Sequence, residues 1–312
     1  MANYGFSIPK ELGTDEHFCS DSDVAVIAVD ENLYLVYKLK GVNELYASKG
    51  SKSGVLQEMG WSAAVNTGQL SDSFPAITYF NGEIYVFWKE NDGHNIYFGT
   101  LDPDTLKIKM IGEVPNGQSK QGVAAVVNNG KMVILHIGKA AGISGRSIYQ
   151  VSYDGNIWSG DEKVKSGQSS KDAPILGVSG NTLYMTHRGK TDGIAGNTIY
   201  WSKNGSGDYD DWSDDEPAEK PSEKAESQHR PGGGTWNNSF VVVHNGNTRE
   251  KLRLVYMDLE ERDWYGDDHI GEEFKSNYGA AFVSLADEAY LIFADTDSAR
   301  TLKWAKSDSI HT

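Results

Sequence analysis

The chain repeats itself about every 50 residues, and this period constrains its fold more than any other feature. A short segment that ends in an aliphatic residue followed by tyrosine recurs five times. These tyrosines are Tyr46, Tyr97, Tyr149, Tyr200 and Tyr256, and a weaker sixth copy stands at Leu302-Lys303. Six copies in a fixed order indicate one repeated structural unit.

Each period contains the pattern of four short strands. A β-rich run precedes every copy, as in NLYLVYK at 32–38 and EIYVFWK at 83–89, and a small-residue apolar segment comes before that run. Four of the units end near a tryptophan, and Asn-Gly and Asp-Gly pairs at 81–82, 92–93 and 154–155 are typical hairpin turns. No helical periodicity is present. The pattern predicts an all-β chain and favours β-propeller blades, with a β-sandwich as the alternative.

Counting the strands predicts a ring of six blades, each with four antiparallel strands. The sixth unit lacks an outer strand, whereas the N-terminal Phe6-Ser7-Ile8 matches the outer-strand position that Trp61-Ser62 occupies in the first unit. We therefore expect the N-terminal strand to close the last blade. The whole chain, 1–312, is predicted to be one propeller domain. Its repeats are placed at 11–66, 67–115, 116–165, 166–216, 217–270 and 271–312 plus 1–10.

Composition excludes several classes of partner and site. The formal net charge of −15 argues against nucleic acid and anionic lipid. The single cysteine, Cys19, excludes an internal disulfide framework, and no histidine spacing predicts a metal site. We expect no cofactor. No apolar run is long enough to span a membrane and no signal peptide is visible, so the expected location is cytoplasmic or extracellular after leaderless release.

The ends of the second strands carry the most suggestive side chains. When the repeats are aligned, one column of equivalent residues contains aromatic or imidazole rings. The next column, one residue later, contains several cations. A flat ring covers the apolar face of a sugar while a cationic donor bonds its hydroxyls. This column predicts ligand-binding residues, although packing between blades is the alternative for the rings. The candidates are Trp88, Lys89, His136, His187, Arg188 and His244.

Repeats three and four share a long loop after this column. The segments 136–149 and 187–200 both follow the pattern H-x-G-K-x-x-G-I-x-G-x-[ST]-I-Y. Long loops are frequently functional. We interpret them as a pair of binding loops with Lys139 and Lys190 as donors, and a recent duplication without a role is the alternative. The acidic segment 208–226 is interpreted as a solvated loop between an outer strand and the next blade.

The unit at 61–97 contains four motifs in order: W-S, P-A, N-G-x-I-Y-V-F-W-K and D-G-x-N-I-Y. This order resembles the repeat of the tandem-repeat β-propeller lectins of bacteria and fungi. The resemblance covers the whole chain as an architecture, and its motifs are loose. It implies fucose or N-acetylglucosamine as ligands, bound in pockets between neighbouring blades. Lys89 and Arg188 stand where those lectins place arginine. Repeats one, five and six depart from the pattern.

We therefore expect a multivalent carbohydrate-binding lectin without catalytic residues. A glycoside hydrolase or lyase with its site at the central channel is the main alternative, and a protein-interaction platform is the other. A hydrolase needs a pair of carboxylates, for which Asp23, Asp172 and Glu44 are candidates. A resemblance to the sialidases would require an arginine in an N-terminal Arg-Ile-Pro. The matching tripeptide here is Ser7-Ile8-Pro9, and no arginine precedes Arg146, so a sialidase is disfavoured.

Overall fold

The computed structural model describes residues 3–53, 58–139, 146–164, 168–189, 196–220, 223–246 and 250–311. They form a six-bladed β-propeller in which the strands of each blade pair in chain order from the channel outward. The N-terminal strands are β1 (Asn3–Phe6) and β2 (Lys10–Glu11). Blade 1 contains β3 (Ala25–Val29), β4 (Asn32–Lys38), β5 (Glu44–Ser53) and β6 (Glu58–Trp61), and β7 (Val65–Leu70) also pairs with β5.

The next three blades repeat this order. Blade 2 contains β8 (Ala76–Phe80), β9 (Glu83–Lys89), β10 (Asn95–Leu101) and β11 (Ile108–Gln118). Blade 3 contains β12 (Ala124–Asn128), β13 (Lys131–Ile137), β14 (Ile148–Tyr153) and β15 (Glu162–Lys163). Blade 4 contains β16 (Ile175–Ser179), β17 (Thr182–Arg188), β18 (Ile199–Asn204) and β19 (Glu216–Pro217).

The remaining strands complete the ring. A small hairpin is formed by β20 (Glu219–Lys220) and β21 (Glu223–Lys224). Blade 5 contains β22 (Gly232–Trp236), β23 (Ser239–His244), β24 (Arg253–Asp258) and β25 (Trp264–His269). Blade 6 contains β26 (Ala281–Leu285), β27 (Glu288–Ala294) and β28 (Leu302–His311), and β1 is its fourth strand. The predicted fold class is confirmed.

Tight turns join the first two strands of each blade. Asn81 and Gly82 connect β8 to β9 with backbone φ angles of 49° and 86°. Positive φ at both turn residues gives the twist that a two-residue hairpin needs, and Asn-Gly tolerates it best. The same chemistry recurs at Asn129-Gly130 between β12 and β13. The turn predicted at 81–82 is thus confirmed.

The N-terminal strand closes the ring as expected. β1 pairs antiparallel with β28, with Gly5 opposite Asp308 and Phe6 opposite Ser307. β2 adds a second short pairing, with Lys10 opposite Trp304. The outermost position of blade 6 is therefore occupied by the start of the chain. This pairing covers an edge that would otherwise be exposed.

Within the described ranges the apolar core forms six clusters, one at each interface between neighbouring blades. The innermost strands also approach each other closely around the channel. A Cβ atom at Gly232 would lie 1.5 Å from the carbonyl oxygen of Ala280, so the backbones of β22 and β26 are almost in contact. This contact explains why the sequence has Pro-Gly-Gly-Gly where other repeats have larger residues.

The acidic segment 208–226 was predicted to be a loop, but parts of it form strands. Glu216–Pro217 is the outer strand β19 of blade 4, opposite Tyr200 and Trp201. The hairpin β20–β21 follows and brings Glu219 opposite Lys224. The interpretation of this segment as a connecting loop was wrong because its backbone completes the fourth sheet.

Within the part of the chain that is described, no helix is long and apolar enough to cross a membrane.

The Glu288 carboxylate connects blade 6 to blade 1, and its ionisation predicts how the stability of the fold changes at acid pH. Its carboxylate contacts Lys52 at 2.9 Å and Lys306 at 3.0 Å, and it accepts a hydrogen bond from Tyr290 at 2.6 Å. Burial acts to raise the pKa of Glu288, but these three donors outweigh burial and lower the pKa to about 2. A lowered pKa stabilises the fold above the unfolded-state pKa of about 4.3, and this stability is lost as the pH falls toward 2.

We therefore expect Glu288→Gln to lower the free energy of unfolding by about 1–2 kcal/mol at pH 7, after allowance for partial exposure. Near pH 2 the variant and the wild type should be nearly equal in stability. Urea unfolding between these pH values measures the difference, with the exposed Glu260→Gln as the control. A difference that stays constant with pH would contradict the role of the ionised carboxylate.

Candidate functional site

A serine precedes the innermost strand of every blade at the upper end of the channel. All six side chains are fully buried: Ser20, Ser71, Ser119, Ser170, Ser227 and Ser276. In five of them the hydroxyl accepts the backbone N–H two residues later, and the hydroxyl of Ser227 donates to the carbonyl of His229. These local bonds fix the loops and present the following residues toward the channel mouth.

The loops enclose a cleft at this mouth with a volume of about 240 Å³. Its wall combines carboxylates, guanidinium groups and aromatic rings. The lining residues are Asp21, Ser22, Asp23, Phe74, Gln121, Asp172, Arg188, His229, Arg230 and Tyr278. We call it the mouth cleft. Below it the channel continues as a cavity of about 360 Å³ between the innermost strands of all six blades, and Asp23 and Arg230 line both spaces.

Arg230 lies at the floor of the mouth cleft and joins several blades. Its Nε donates to the carbonyl of Ala173 at 2.8 Å, its Nη2 donates to Pro174 at 3.0 Å, and its Nη1 lies 3.4 Å from Asp23 Oδ2. The guanidinium carbon is 4.4 Å from the centre of the Phe74 ring. The charge is thus held in one orientation by hydrogen bonds and by a cation–π contact.

Asp23 is a buried carboxyl group beside this arginine. The N–H of Gly279 donates to its Oδ1 at 2.5 Å. Burial raises the pKa of Asp23 above its ordinary value, and the negative charge of Asp172 adds to this effect. Arg230 and the Gly279 N–H oppose the increase only in part. Asp23 therefore has the environment of a carboxyl group that holds its proton more strongly than an exposed aspartate does.

A second carboxylate, Asp172, faces the same cleft from blade 4. Arg188 Nε donates to Asp172 Oδ2, and Arg188 Nη1 donates to the carbonyls of Ser227 and Gln228. Arg188 is thus a link between blades 4 and 5 as well as a wall of the cleft. Because the Asp172 side chain is 17% exposed, one part of this ion pair remains open to a ligand.

The predicted ring column lies beneath the surface. The rings of Trp88, His136, His187 and His244 are at most 2% exposed. Trp88 stacks on Tyr97, and the imidazoles of His136 and His187 stack on Tyr149 and Tyr200. Each histidine also contacts a carboxylate near the outer strand of its own blade. These pairs are His136–Asp161 at 2.8 Å, His187–Asp215 at 3.0 Å and His244–Asp267 at 3.0 Å.

The cations of the next column are paired as well. Lys89 lies 2.7 Å from Asp72 and donates to the carbonyl of Glu90 at 2.9 Å. Lys139 is exposed, whereas Lys190 lies outside the described residues. Of the eight predicted site residues, Arg188 lines the mouth cleft. Direct ligand contact by these residues stays a prediction, and the observed contacts tie the strands of each blade together.

Sequence reasoning missed most of the mouth cleft. Asp23 and Asp172 were candidates only as a possible carboxylate pair, and Glu44 does not line the cleft. Arg230, His229 and Tyr278 carried no prediction. The recurring serine before each innermost strand was the signal that could have found them. Among the described residues, no group of three or more His, Cys, Asp or Glu side chains is arranged to hold a metal ion.

Comparisons with known proteins show the fold. No protein-family model and no curated protein sequence matches the chain. Similar solved structures include an α-L-arabinofuranosidase of Fusarium graminearum in complex with an iminosugar inhibitor, at 10% identity and a TM-score of 0.70 over 99% of this chain and 97% of that one. An α-L-arabinanase of Penicillium chrysogenum complexed with arabinobiose has 10% identity and a TM-score of 0.67 over 99% and 98%.

A lectin of Aleuria aurantia is similar to the same degree. It was solved in complex with Fucα1-6GlcNAc and has 14% identity and a TM-score of 0.67 over 95% of this chain and 96% of that one. The propeller is thus shared with glycoside hydrolases and with a fucose-binding lectin. At these identities the likeness concerns the backbone architecture, so the function has to be argued from the site.

Proposed function

We propose that this protein is a carbohydrate-binding lectin and that the mouth cleft is one of its sugar sites. The observation that carries the proposal is the set of groups that meet in this cleft. Tyr278 supplies a ring, Gln121 an amide, and Asp172 with Arg188 an oriented acceptor and donor. A sugar presents an apolar face and a rim of hydroxyls, which such a mixture of groups can match.

The size of the mouth cleft restricts the ligand. Its volume of about 240 Å³ lies below the roughly 300–1,000 Å³ of typical drug-sized sites. We therefore propose that it takes one or two sugar units of a longer glycan. Fucose and N-acetylglucosamine remain the proposed sugars, since the resemblance to propeller lectins implies them. Further sites in the grooves between blades would make binding multivalent and would raise its avidity.

The charge of the mouth cleft favours a neutral sugar. Arg188 is paired with Asp172, and Arg230 is paired with Asp23. Asp21 is also paired, with the ammonium of Lys38. An acidic sugar would need an arginine that is not already neutralised by a carboxylate, because a carboxylate ligand would have to compete with these aspartates. We therefore expect neutral glycans to bind more tightly than sialylated or uronic acid glycans.

A glycan array followed by calorimetry tests the proposal. We expect Tyr278→Phe to weaken binding of the best neutral glycan about fivefold, since one shielded hydrogen bond is worth about 1 kcal/mol. The matched control is Tyr209→Phe, because Tyr209 is exposed and lies outside the cleft. An array without a positive glycan would contradict carbohydrate binding itself.

Two further variants separate the mouth cleft from the predicted groove residues. Lys139→Ala removes an exposed candidate that does not line the cleft. The double change His187→Ala with Arg188→Ala removes the groove candidates of blade 4 and releases Asp172. Weakening by Lys139→Ala but not by Tyr278→Phe would move the site to the loops. If a folded double variant kept the affinity and stoichiometry, both the blade 4 groove and the Arg188 wall of the cleft would be excluded.

Hydrolysis of a glycosidic bond is the second candidate function. It is favoured by the contrast between Asp23, whose pKa is raised by burial, and Asp172, which is held beside Arg188. In such a pair Asp23 would act as the general acid, and Asp172, oriented by Arg188, would be the second carboxylate. This function would be supported if the wild type hydrolysed chromogenic glycosides and if Asp23→Asn and Asp172→Asn each abolished that turnover. Binding without turnover would support the lectin.

A further inference from the structure

Another cavity lies on the lower face of the ring, where the innermost strands end. It has a volume of about 440 Å³ and runs between blades 1 and 2, on the face opposite the mouth cleft. Its lining includes the turn at Asp30, the turn at Gly82-Glu83 and the loop that begins at Asp102-Pro103. We call it the lower groove. None of its lining residues lines the mouth cleft.

The inner wall of the lower groove contains a largely buried tyrosine whose hydroxyl is open to the cavity. Tyr34 is 4% exposed and lines the cavity. Within the described part of the chain its hydroxyl makes no hydrogen bond, and its ring lies 5.5 Å from the ammonium of Lys49. The hydroxyl can therefore bond water or a polar group of a ligand in the cavity.

The rim of the lower groove is acidic. Asp30, Glu83 and Asp102 line it, and Lys109 is the cation that lines it with them. Asp102 uses Oδ1 to accept the backbone N–H groups of Asp104 and Thr105, and these bonds lower its pKa and keep it ionised. Three carboxylates against the ammonium groups of Lys109 at the rim and Lys49 beside Tyr34 leave a net negative potential at the entrance.

Apolar side chains and an exposed ring form the rest of the lower groove. Val29, Ile84, Leu101 and Pro103 provide an apolar wall between the acidic rim and Tyr34. Tyr79 also lines the groove and is 41% exposed, which is unusual for a large aromatic residue on an innermost strand. Aromatic faces attract ammonium groups, and an apolar wall packs against methylene groups.

We propose that the lower groove binds a primary ammonium group carried on an alkyl chain. The apolar wall takes the methylene groups, the acidic rim and the Tyr79 face take the positive charge, and the Tyr34 hydroxyl accepts a hydrogen bond. Two sources supply this chemistry: a free polyamine, and a lysine side chain of another polypeptide. An anionic ligand is disfavoured by the three carboxylates, and a neutral ligand leaves them without a counter-charge.

Calorimetry with small probes tests the proposal. We expect 1,5-diaminopentane to bind with one-to-one stoichiometry, and 1,5-pentanediol, which has the same length without charge, to show no binding up to about 10 mM. A blocked Gly-Lys-Gly peptide distinguishes the two sources. Tighter binding of the peptide than of the diamine indicates a polypeptide partner, whereas tighter binding of the diamine indicates a free polyamine with both ammonium groups engaged.

Two variants locate the probe in the lower groove. The double change Asp30→Asn with Glu83→Gln should weaken diamine binding about tenfold or more, since it removes two charges from the rim. Asparagine tolerates the positive φ of 53° at position 30, so the turn should be retained. Tyr34→Phe should weaken binding about threefold through loss of one hydrogen bond.

The control variant is Asp287→Asn with Glu260→Gln. It removes the same charge from exposed positions on the lower face of blades 6 and 5. Equal weakening by the control and by the groove variant would show only general attraction to an acidic protein and would overturn the proposal. Equal binding of the diamine and the diol, or no binding of the diamine and the peptide to the wild type, would overturn it as well.

Discussion

A chain that lacks residues 1–10 is expected to melt roughly 6–9 °C below the full-length protein, if it folds at all. These residues form β1 and the start of β2, and they occupy the outermost position of blade 6. Their removal breaks the pairing with β28, including the bond from Ser7 N–H to the carbonyl of Lys306 at 2.8 Å. It also removes the edge contact of Phe6 with Phe274 of the neighbouring blade interface.

The expected cost is about 4–6 kcal/mol, because several backbone hydrogen bonds at about 1 kcal/mol each are lost together with apolar contact. Differential scanning calorimetry measures it. Ile8→Ala is the matched control, since Ile8 is 74% exposed and its side chain should contribute little. A synthetic peptide with residues 1–12, added in excess, should restore most of the loss. A truncated chain that melts within about a degree of the full chain would contradict ring closure by β1.

Replacement of Arg230 by methionine is expected to destabilise the fold by about 3–5 kcal/mol. The change leaves the Asp23 carboxylate without its cation and removes the donors to the carbonyls of Ala173 and Pro174. It also removes the cation–π contact with Phe74. Urea unfolding measures the cost, and Arg262→Met, at an exposed position, is the control of the same chemistry.

A second substitution, at Asp23, and the pH dependence of unfolding show whether the lost stability comes from the uncompensated charge. Asp23→Asn in the Arg230→Met background should recover part of the loss, because the uncompensated charge is removed. Without Arg230 the pKa of Asp23 should rise further above its ordinary value. A carboxyl group with a raised pKa favours the folded state at low pH, and this contribution is lost as the pH rises above about 4. The Arg230→Met defect should therefore be smaller at pH 4 than at pH 7. A defect independent of pH and of Asp23 would assign the loss to packing alone.

Strand content, blade number and closure could be predicted from the sequence because they depend on local repetition. Side chains alternate along a strand, turns need Asn-Gly or Asp-Gly, and each copy of the unit contains the same order of both. The unmatched segment at Phe6-Ser7-Ile8 then had one available place, opposite β28. The strand at 216–217 was not predicted, because two residues beside acidic side chains show no strand pattern. Only their pairing opposite Tyr200 makes them a strand.

The candidate site could be predicted only in part, for a physical reason. Repetition shows that His136, His187 and His244 occupy equivalent positions, but it does not show whether that position faces solvent or the interior of a blade. In the folded ring each of these imidazoles is buried against a carboxylate of its own blade. The mouth cleft depends instead on contacts between blades, such as Arg230 with Asp23, 207 residues apart in the chain. The sequence by itself determined the blades and their order, whereas closure of the ring decided which side chains meet at the channel mouth, because only closure brings the six loops to one axis.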